Sequence, residues 1–208
     1  MSRKSLVQLV SVCVVMAFSV LGSGCKKEEK APEAVPAAAP QAAASTPSST
    51  ASASAKEFTF EDGVGGWKPV SKTIKIEVAA DKVHGGKGSL KISGSTGASS
   101  WNFAGSPKFA LESGKKYRLS GWMMVEATSD PKNAPFLKCA INEGPKWLSN
   151  ANTKRYNLSK LNEWQELSAE FTAPAGPGLE GYFAIEKGTN KVDIKATIYV
   201  DDVKLEAL

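Results

Sequence analysis

The hydrophobic positions of the chain fall into three patterns. Residues 6–21 are almost continuously apolar, residues 26–57 contain almost no bulky apolar side chain, and residues 58–208 alternate apolar and polar positions in short runs. Alternation with a period of two is typical of β-strands. Gly, Pro, Asn and Asp separate the runs, as they do at turns. The pattern predicts an all-β domain, a two-sheet antiparallel β-sandwich of the jelly-roll kind.

Seven runs have the clearest strand pattern. They span residues 73–78, 89–93, 117–125, 136–141, 163–172, 180–187 and 197–205. Alternation also predicts which side chains face the core, because successive residues of a strand point to opposite faces. The predicted inward side chains are those of Leu119, Met123, Leu137, Cys139, Ile141, Phe183 and Ile185.

The first 25 residues have the order of a secretory signal peptide. Arg3 and Lys4 precede the apolar run, and small residues from Gly22 onward lead into Cys25. The segment resembles a bacterial lipoprotein signal, which implies cleavage before Cys25 and lipidation of that cysteine with palmitate. Two acyl chains anchor a protein stably where one does not. Gly22 stands where such signals usually have Leu, so plain cleavage to a periplasmic or secreted product, or an uncleaved anchor, stays open.

Residues 25–57 are predicted to form a disordered tether. Ala, Pro, Ser and charged residues dominate them, so they cannot bury enough apolar surface to offset the entropy of ordering. Lys26 rather than Asp follows the cysteine, which in lipoproteins of this kind implies delivery to the outer membrane. The predicted organisation is a signal peptide over 1–24, a lipidated cysteine and tether over 25–57, and one sandwich domain over 58–208, present as a monomer.

Charge and reactive residues exclude several functions. The formal net charge is +5, but five of the basic residues lie in the first thirty positions, and the nearly balanced remainder does not indicate nucleic-acid binding. Cys139 stands alone in a strand pattern and is predicted to be a buried core side chain. With His84 as the single histidine, no zinc spacing exists, and no sequence pattern pairs carboxylates for glycoside hydrolysis. We therefore expect no enzymatic activity.

Five segments of the domain carry a family resemblance. In order they read FEDG and GW within 60–67, VHGGKGSLKI at 83–92, YRLSGW at 117–122, WQEL and FTAP within 164–174, and IYVDDV at 198–203. Together they resemble carbohydrate-binding modules of the CenC type, which belong to the galactose-binding-like jelly rolls. The resemblance implies a sugar site on a concave sheet face or in edge loops, and often a structural calcium. Trp67 and Trp164 match framework positions and are predicted to be core.

The outward positions of the predicted strands combine aromatic and charged side chains. These residues are Trp122, Phe136 and Tyr182 together with Arg118, Lys138 and Glu186. We interpret them as a recognition surface for a polysaccharide or cell-surface glycan, with rings stacking on sugars and polar groups bonding hydroxyls. Trp147 is the expected loop aromatic that closes the groove, with Trp101 as a second candidate. The alternative is that a loop covers the rings, in a cell-envelope structural or adhesion domain without sugar binding.

The hydrophobic phase of the last predicted strand changes at Asp201-Asp202. Val200 belongs to one phase and Val203 to the other, and a β-bulge between them would restore the pattern. Calcium takes six to eight oxygen ligands. The positions that match the calcium ligands of the resembling family are Glu61, Gly85, Lys87, Asp201 and Asp202. A solvated acid pair on an edge strand stays open as the alternative.

Overall fold

The computed structural model describes residues 54–208. The predicted signal peptide, Cys25 and the tether up to residue 53 lie outside the described residues. The described part contains twelve β-strands and one short 3₁₀ helix, Leu158–Lys160. The strands are β1 Ser54–Phe58, β2 Lys68–Pro69, β3 Ile74–Ala79, β4 Ser89–Thr96, β5 Asn102–Gly105, β6 Phe109–Ala110, β7 Lys116–Thr128, β8 Phe136–Glu143, β9 Lys146–Asn152, β10 Gln165–Thr172, β11 Leu179–Glu186 and β12 Ile194–Ala207. None of the helical structure in residues 54–208 is long and apolar enough to cross a membrane.

The strands form two antiparallel sheets of six strands each. The first sheet has the order β10-β7-β12-β4-β3, with β1 also paired to β12. The second sheet has the order β2-β5-β11-β8-β9, with β6 also paired to β11. This arrangement confirms the predicted all-β sandwich.

The core lies between the two sheets and follows the predicted alternation. Leu119, Met123 and Val203 of the first sheet belong to the same buried cluster as Phe183 and Cys139 of the second. Burying one such side chain contributes roughly 1.5–3 kcal/mol relative to leaving it in water. Cys139 is therefore core, as predicted, and its burial raises the pKa of the thiol to about 12, which keeps it protonated and unreactive.

A β-bulge interrupts the last strand where the sequence phase changes. The register of β12 against β7 shifts between Asp201 and Lys204, and Asp202 has a φ of 48°. Before the bulge β12 pairs with β4, and after it β12 pairs with β1. The extra residue lets both halves of β12 present apolar side chains to one core.

The sandwich begins a few residues earlier than expected. Residues 54–57, predicted to be the end of the tether, form β1 with Phe58 and pair with the end of β12. Their sequence, SAKE, has no apolar alternation that would predict a strand. The short strand is held in place by its hydrogen bonds to β12. The alternation of apolar and polar residues also did not predict the short strands β2, β5 and β6 or the polar edge strand β9.

Candidate functional site

A cleft of about 450 Å³ lies on the outer face of the second sheet. Register places its lining across neighbouring strands: Asn102 of β5 pairs with Glu186 of β11, and Lys138 of β8 pairs with Asn152 of β9. Tyr182 of β11 lies on the same face, because it shares the phase of Glu186 and alternates with the core residue Phe183. The complete lining is Trp101, Asn102, Lys138, Trp147, Asn150, Asn152, Tyr182 and Glu186.

Small side chains keep the cleft open. Ala184 lies between Gly105 and Lys138 across three strands, and Ala140 lies between Tyr182 and Asn150. A Cβ atom at position 105 would come within 3.7 Å of the Tyr182 ring. Larger residues at these positions would fill the space beside Tyr182, so the sequence of small residues shapes a concave floor.

An ion pair forms part of the cleft floor. Lys138 Nζ donates a hydrogen bond to Glu186 Oε2 at 2.7 Å, and the two side chains are only 7% and 9% exposed. The pairing offsets the cost of removing both charges from water, because either charge alone would be buried without a partner. The pair presents a fixed donor and a fixed acceptor side by side, which suits a polar ligand that carries both kinds of group, such as neighbouring hydroxyls.

Two exposed tryptophans stand at opposite sides of the cleft. Trp101, directly before β5, is 49% exposed, and Trp147, near the start of β9, is 59% exposed. Trp147 Nε1 donates to Asn150 Oδ1 at 3.0 Å, which restrains the indole. Tyr182 between them is half-buried. Exposed rings around a polar floor give large contact faces and directed hydrogen bonds, the combination that a sugar chain requires.

The structure brings together four of the seven residues predicted to bind carbohydrate. Tyr182, Trp147, Lys138 and Glu186 all line the cleft. Phe136 lies on the same sheet face but is 5% exposed, because the Arg155 guanidinium covers its ring at 5.0 Å from the centroid.

Trp122 and Arg118 lie elsewhere, contrary to the predicted grouping. Both belong to β7, which is in the first sheet and not in the sheet of Tyr182. The His84 ring stacks on Trp122 at 3.7 Å between centroids, and Arg118 Nη2 donates to Glu170 Oε1 at 2.6 Å. Alternation fixes the face of each strand but not the sheet to which the strand belongs, and the expected grouping assumed a shared sheet. The loop that carries His84 thus covers one face of the Trp122 ring, as the alternative interpretation described, and the side chain is half-buried.

The two framework tryptophans also differ from each other. Trp67 is in the main core, as predicted, whereas Trp164 is only partly buried and packs with Met124 and Tyr199 on the outer face of the first sheet. Its indole lies edge-on to the His84 ring at 5.8 Å. Trp164 therefore contacts the same His84 ring that stacks on Trp122.

The predicted calcium ligands lie around one turn, residues 84–88. Asp201 is fully buried, and its Oδ2 accepts hydrogen bonds from the backbone N–H groups of His84 and Gly85. Burial raises the pKa of the Asp201 carboxyl, and these hydrogen bonds oppose that rise. Glu61 accepts from the N–H groups of Lys87 and Gly88.

The turn meets both carboxylates with its backbone N–H groups, whereas a calcium ion would take oxygen ligands from the turn. Asp202 Oδ2 contacts His84 Nδ1 at 2.9 Å. Within residues 54–208, no three or more His, Cys, Asp or Glu side chains are grouped to hold a metal ion. The hydrogen bonds account for the carboxylates without a cation, and calcium here stays a prediction.

Sequence reasoning missed the amides of the cleft. Asn150 and Asn152 flank Ala151, which is buried in the core, so the polar residues of Asn150-Ala151-Asn152 share the outer face of β9. This two-residue period could have predicted a strand, but Gly144-Pro145 before it favoured a loop. Asn102 directly follows Trp101 and precedes the core residue Phe103, which is the same alternation in a strand of four residues.

The sequence of the domain matches a known protein family. Residues 52–193 match the family described as "Carbohydrate binding domain" (CBM4/9), so the chain belongs to that family. It is a carbohydrate-binding module. Endo-1,4-beta-xylanase A of Thermotoga neapolitana is 31% identical over 158 residues, which are 72% of this chain and 14% of the xylanase. The chain thus spans about one seventh of the length of that curated relative.

Solved structures share the fold at low sequence identity. The CBM22-1 and GH10 modules of Clostridium thermocellum xylanase Xyn10B, complexed with xylohexaose, are similar with a TM-score of 0.57 and 19% identity over 74% of this chain and 28% of theirs. The CBM22-1 xylan-binding domain of Paenibacillus barcinonensis Xyn10C gives a TM-score of 0.51 and 19% identity over 75% of this chain and 95% of its own. These similarities confirm the sandwich fold.

Proposed function

We propose that the protein binds β-1,4-linked xylan through the cleft of the second sheet, without cleaving it. The observation that carries this proposal is the cleft itself, in which Trp101, Tyr182 and Trp147 surround the Lys138–Glu186 pair. Xylan as the ligand is supported by the xylanases and the xylan-binding domain to which the chain is similar. The matched family consists of binding modules, and the xylanase relatives extend far beyond the matched region.

The dimensions of the cleft suit a segment of chain rather than a single sugar. The lining runs from β5 through β11 and β8 to β9, and neighbouring strands lie about 4.8 Å apart, so the floor is roughly 14 Å wide across the strands. Trp101 lies at one end of this path and Trp147 at the other. Rings at both ends supply contact area, while the charged pair and the three asparagines supply donors and acceptors for hydroxyls.

The experiment is isothermal titration of the purified chain with xylohexaose, cellohexaose and mannohexaose, with affinity electrophoresis in gels that contain soluble xylan. We expect heat and retardation with the xylan ligands and weaker binding of the other two sugars. Binding of another hexasaccharide in preference to xylohexaose would overturn xylan as the ligand. No binding to any of the three and no retardation would overturn the sugar-binding function of the cleft.

The structural or adhesion alternative predicts that protein covers the outward rings. That description applies to Trp122 under His84, but Trp101 and Trp147 are about half exposed beside an open cleft. Exposed rings that converge on polar groups favour a ligand over internal packing. The cleft therefore favours carbohydrate binding.

We further propose that the module is exported and anchored to the outer membrane by lipid on Cys25. The order of charge, apolar run and small residues before Cys25 supports this, and the residues lie outside those that the structure describes. Radiolabelled palmitate should enter the wild-type chain and the control Cys13→Ser, but not Cys25→Ser. Unlabelled protein in the soluble fraction for all three would contradict the anchor.

A further inference from the structure

Lys187 is a buried cation that the cleft itself does not use. It directly follows β11 and is 0% exposed. Its Nζ donates hydrogen bonds to the carbonyl oxygens of Val192 at 2.7 Å, Gly97 at 2.8 Å and Thr96 at 3.4 Å. Burial lowers the pKa of this ammonium group. An ammonium group at this depth is tolerated because carbonyl oxygens replace water around it.

Lys187 Nζ binds the carbonyl group of Thr96 at the end of β4 and carbonyl groups of two loops at the same end of the sandwich. One is the loop of residues 97–101, which joins β4 to β5 and ends with Trp101; we name it the Trp101 loop. The other, residues 188–193, joins β11 to β12. The backbone N–H of Lys187 also donates to the carbonyl oxygen of Trp101 at 2.9 Å. Lys187 thus contacts both ends of the Trp101 loop, Gly97 through its ammonium group and Trp101 through its backbone N–H.

The Trp101 loop needs such an anchor. Ser99 has a φ of 77°, in the left-handed region that non-glycine residues rarely adopt, and such a conformation persists only where its surroundings impose it. Its N–H donates to the carbonyl oxygen of Asn190 at 2.8 Å, which links it to the second loop. Trp101 itself is half exposed, so its own packing contributes little to holding the loop.

We propose that Lys187 is a positioning residue for ligand binding: its buried ammonium group holds the Trp101 loop, and thereby the Trp101 side of the cleft, in place. The role in binding rests on the proposed function of the cleft. The ordering of the loop does not, and it is measurable without any sugar. Lys187 touches no ligand, because it lies beneath the loop rather than in the lining of the cleft.

The sugar-free experiment compares hydrogen exchange in the full chain and in Lys187→Met, which keeps the length of the side chain and removes the charge. We expect amides 98–101 to exchange faster, while amides 147–152 on the opposite side of the cleft stay unchanged. Lys187→Gln, which keeps a donor, should show a smaller effect and serves if the Met variant does not fold. Unchanged exchange at 98–101 in a folded variant would overturn the proposal.

The control is Tyr117→Phe, which removes a different buried polar group. Tyr117 is 2% exposed, and its hydroxyl accepts a hydrogen bond from the Glu112 N–H at 2.9 Å. This variant should lower the melting temperature without changing exchange at 98–101 or affinity for xylohexaose. Equal effects of Tyr117→Phe and Lys187→Met on the Trp101 loop would mean general destabilisation and overturn the proposal.

The affinity experiment is a double-mutant cycle with xylohexaose. We expect Lys187→Met to weaken binding about tenfold, and to cause no further loss when Trp101 is already alanine. Additive losses would show that Lys187 acts by a route other than Trp101 and would overturn the positioning role. If exchange responds as expected but wild-type protein binds no sugar, the loop anchor stands and the proposed function of the cleft fails.

Discussion

The outer faces of the two sheets both carry aromatic and charged side chains, but the rest of the chain contacts these side chains differently on the two faces. On the first sheet, His84 stacks on Trp122, and Arg118 pairs with Glu170. On the second sheet, Trp101 and Trp147 leave about half of their surfaces in water beside a cleft. Aromatic and charged residues on a strand therefore do not by themselves identify a binding face; the two faces differ in how far the rest of the chain covers their rings.

The first test of this difference breaks one ion pair on each face. Lys138→Met leaves Glu186 charged and buried in the cleft floor, so we expect a loss of about 3–5 kcal/mol in the free energy of unfolding. Arg118→Met breaks an exposed pair on the first sheet and should change stability little, since water and salt already screen it. Urea denaturation of both variants measures the difference.

The double variant Lys138→Met with Glu186→Leu serves as the control for this test. Removing both charges leaves no unpaired buried charge, so the double variant should be more stable than Lys138→Met alone. If the two faces gave equal losses, the Lys138–Glu186 pair would have to be hydrated in solution, and the floor of the cleft would not be a fixed pair of hydrogen-bonding groups.

The second test removes one aromatic ring from each face. Tyr182→Ala should lower the affinity for xylohexaose about thirtyfold, because a ring in the centre of a binding surface is worth about 2 kcal/mol or more. Trp122→Ala should leave that affinity unchanged and lower the melting temperature, because its ring packs against His84. Titration calorimetry and thermal melting measure both. Loss of affinity in folded Trp122→Ala would place the ligand on the first sheet instead.

The sequence predicts the faces of the strands well and the grouping of the strands poorly. Leu137 and Cys139 are core and Lys138 is not, because two-residue alternation is a local property that the chain itself encodes. Whether β7 joins β12 or β8 depends on long-range pairing that alternation does not contain, and this misplaced Trp122. The bulge at Asp201-Asp202 was predictable, since a change of phase within one strand needs an extra residue.

The third test concerns the Trp147 side of the cleft. Trp147→Phe keeps a ring but loses the hydrogen bond from Nε1 to Asn150, and Trp147→Ala loses both. We expect Ala to weaken binding of xylohexaose about tenfold and Phe to weaken it less, because the ring supplies most of the contact area. Both should melt like wild type, since the side chain is mostly exposed. Equal affinities of all three proteins would remove Trp147 from the binding site.

The smallest expected effect concerns the turn that covers the first sheet. Backbone N–H groups already satisfy Asp201 and Glu61, so we expect a chelator to leave the melting temperature of the wild type unchanged. Glu61→Gln should lower it slightly, with and without chelator, because the amide accepts from the turn less well than the carboxylate does. Differential scanning calorimetry with added calcium or chelator measures both proteins. A chelator-dependent fall in the wild type that Glu61→Gln abolishes would establish the predicted calcium, because a cation bound only to the folded state stabilises it by mass action.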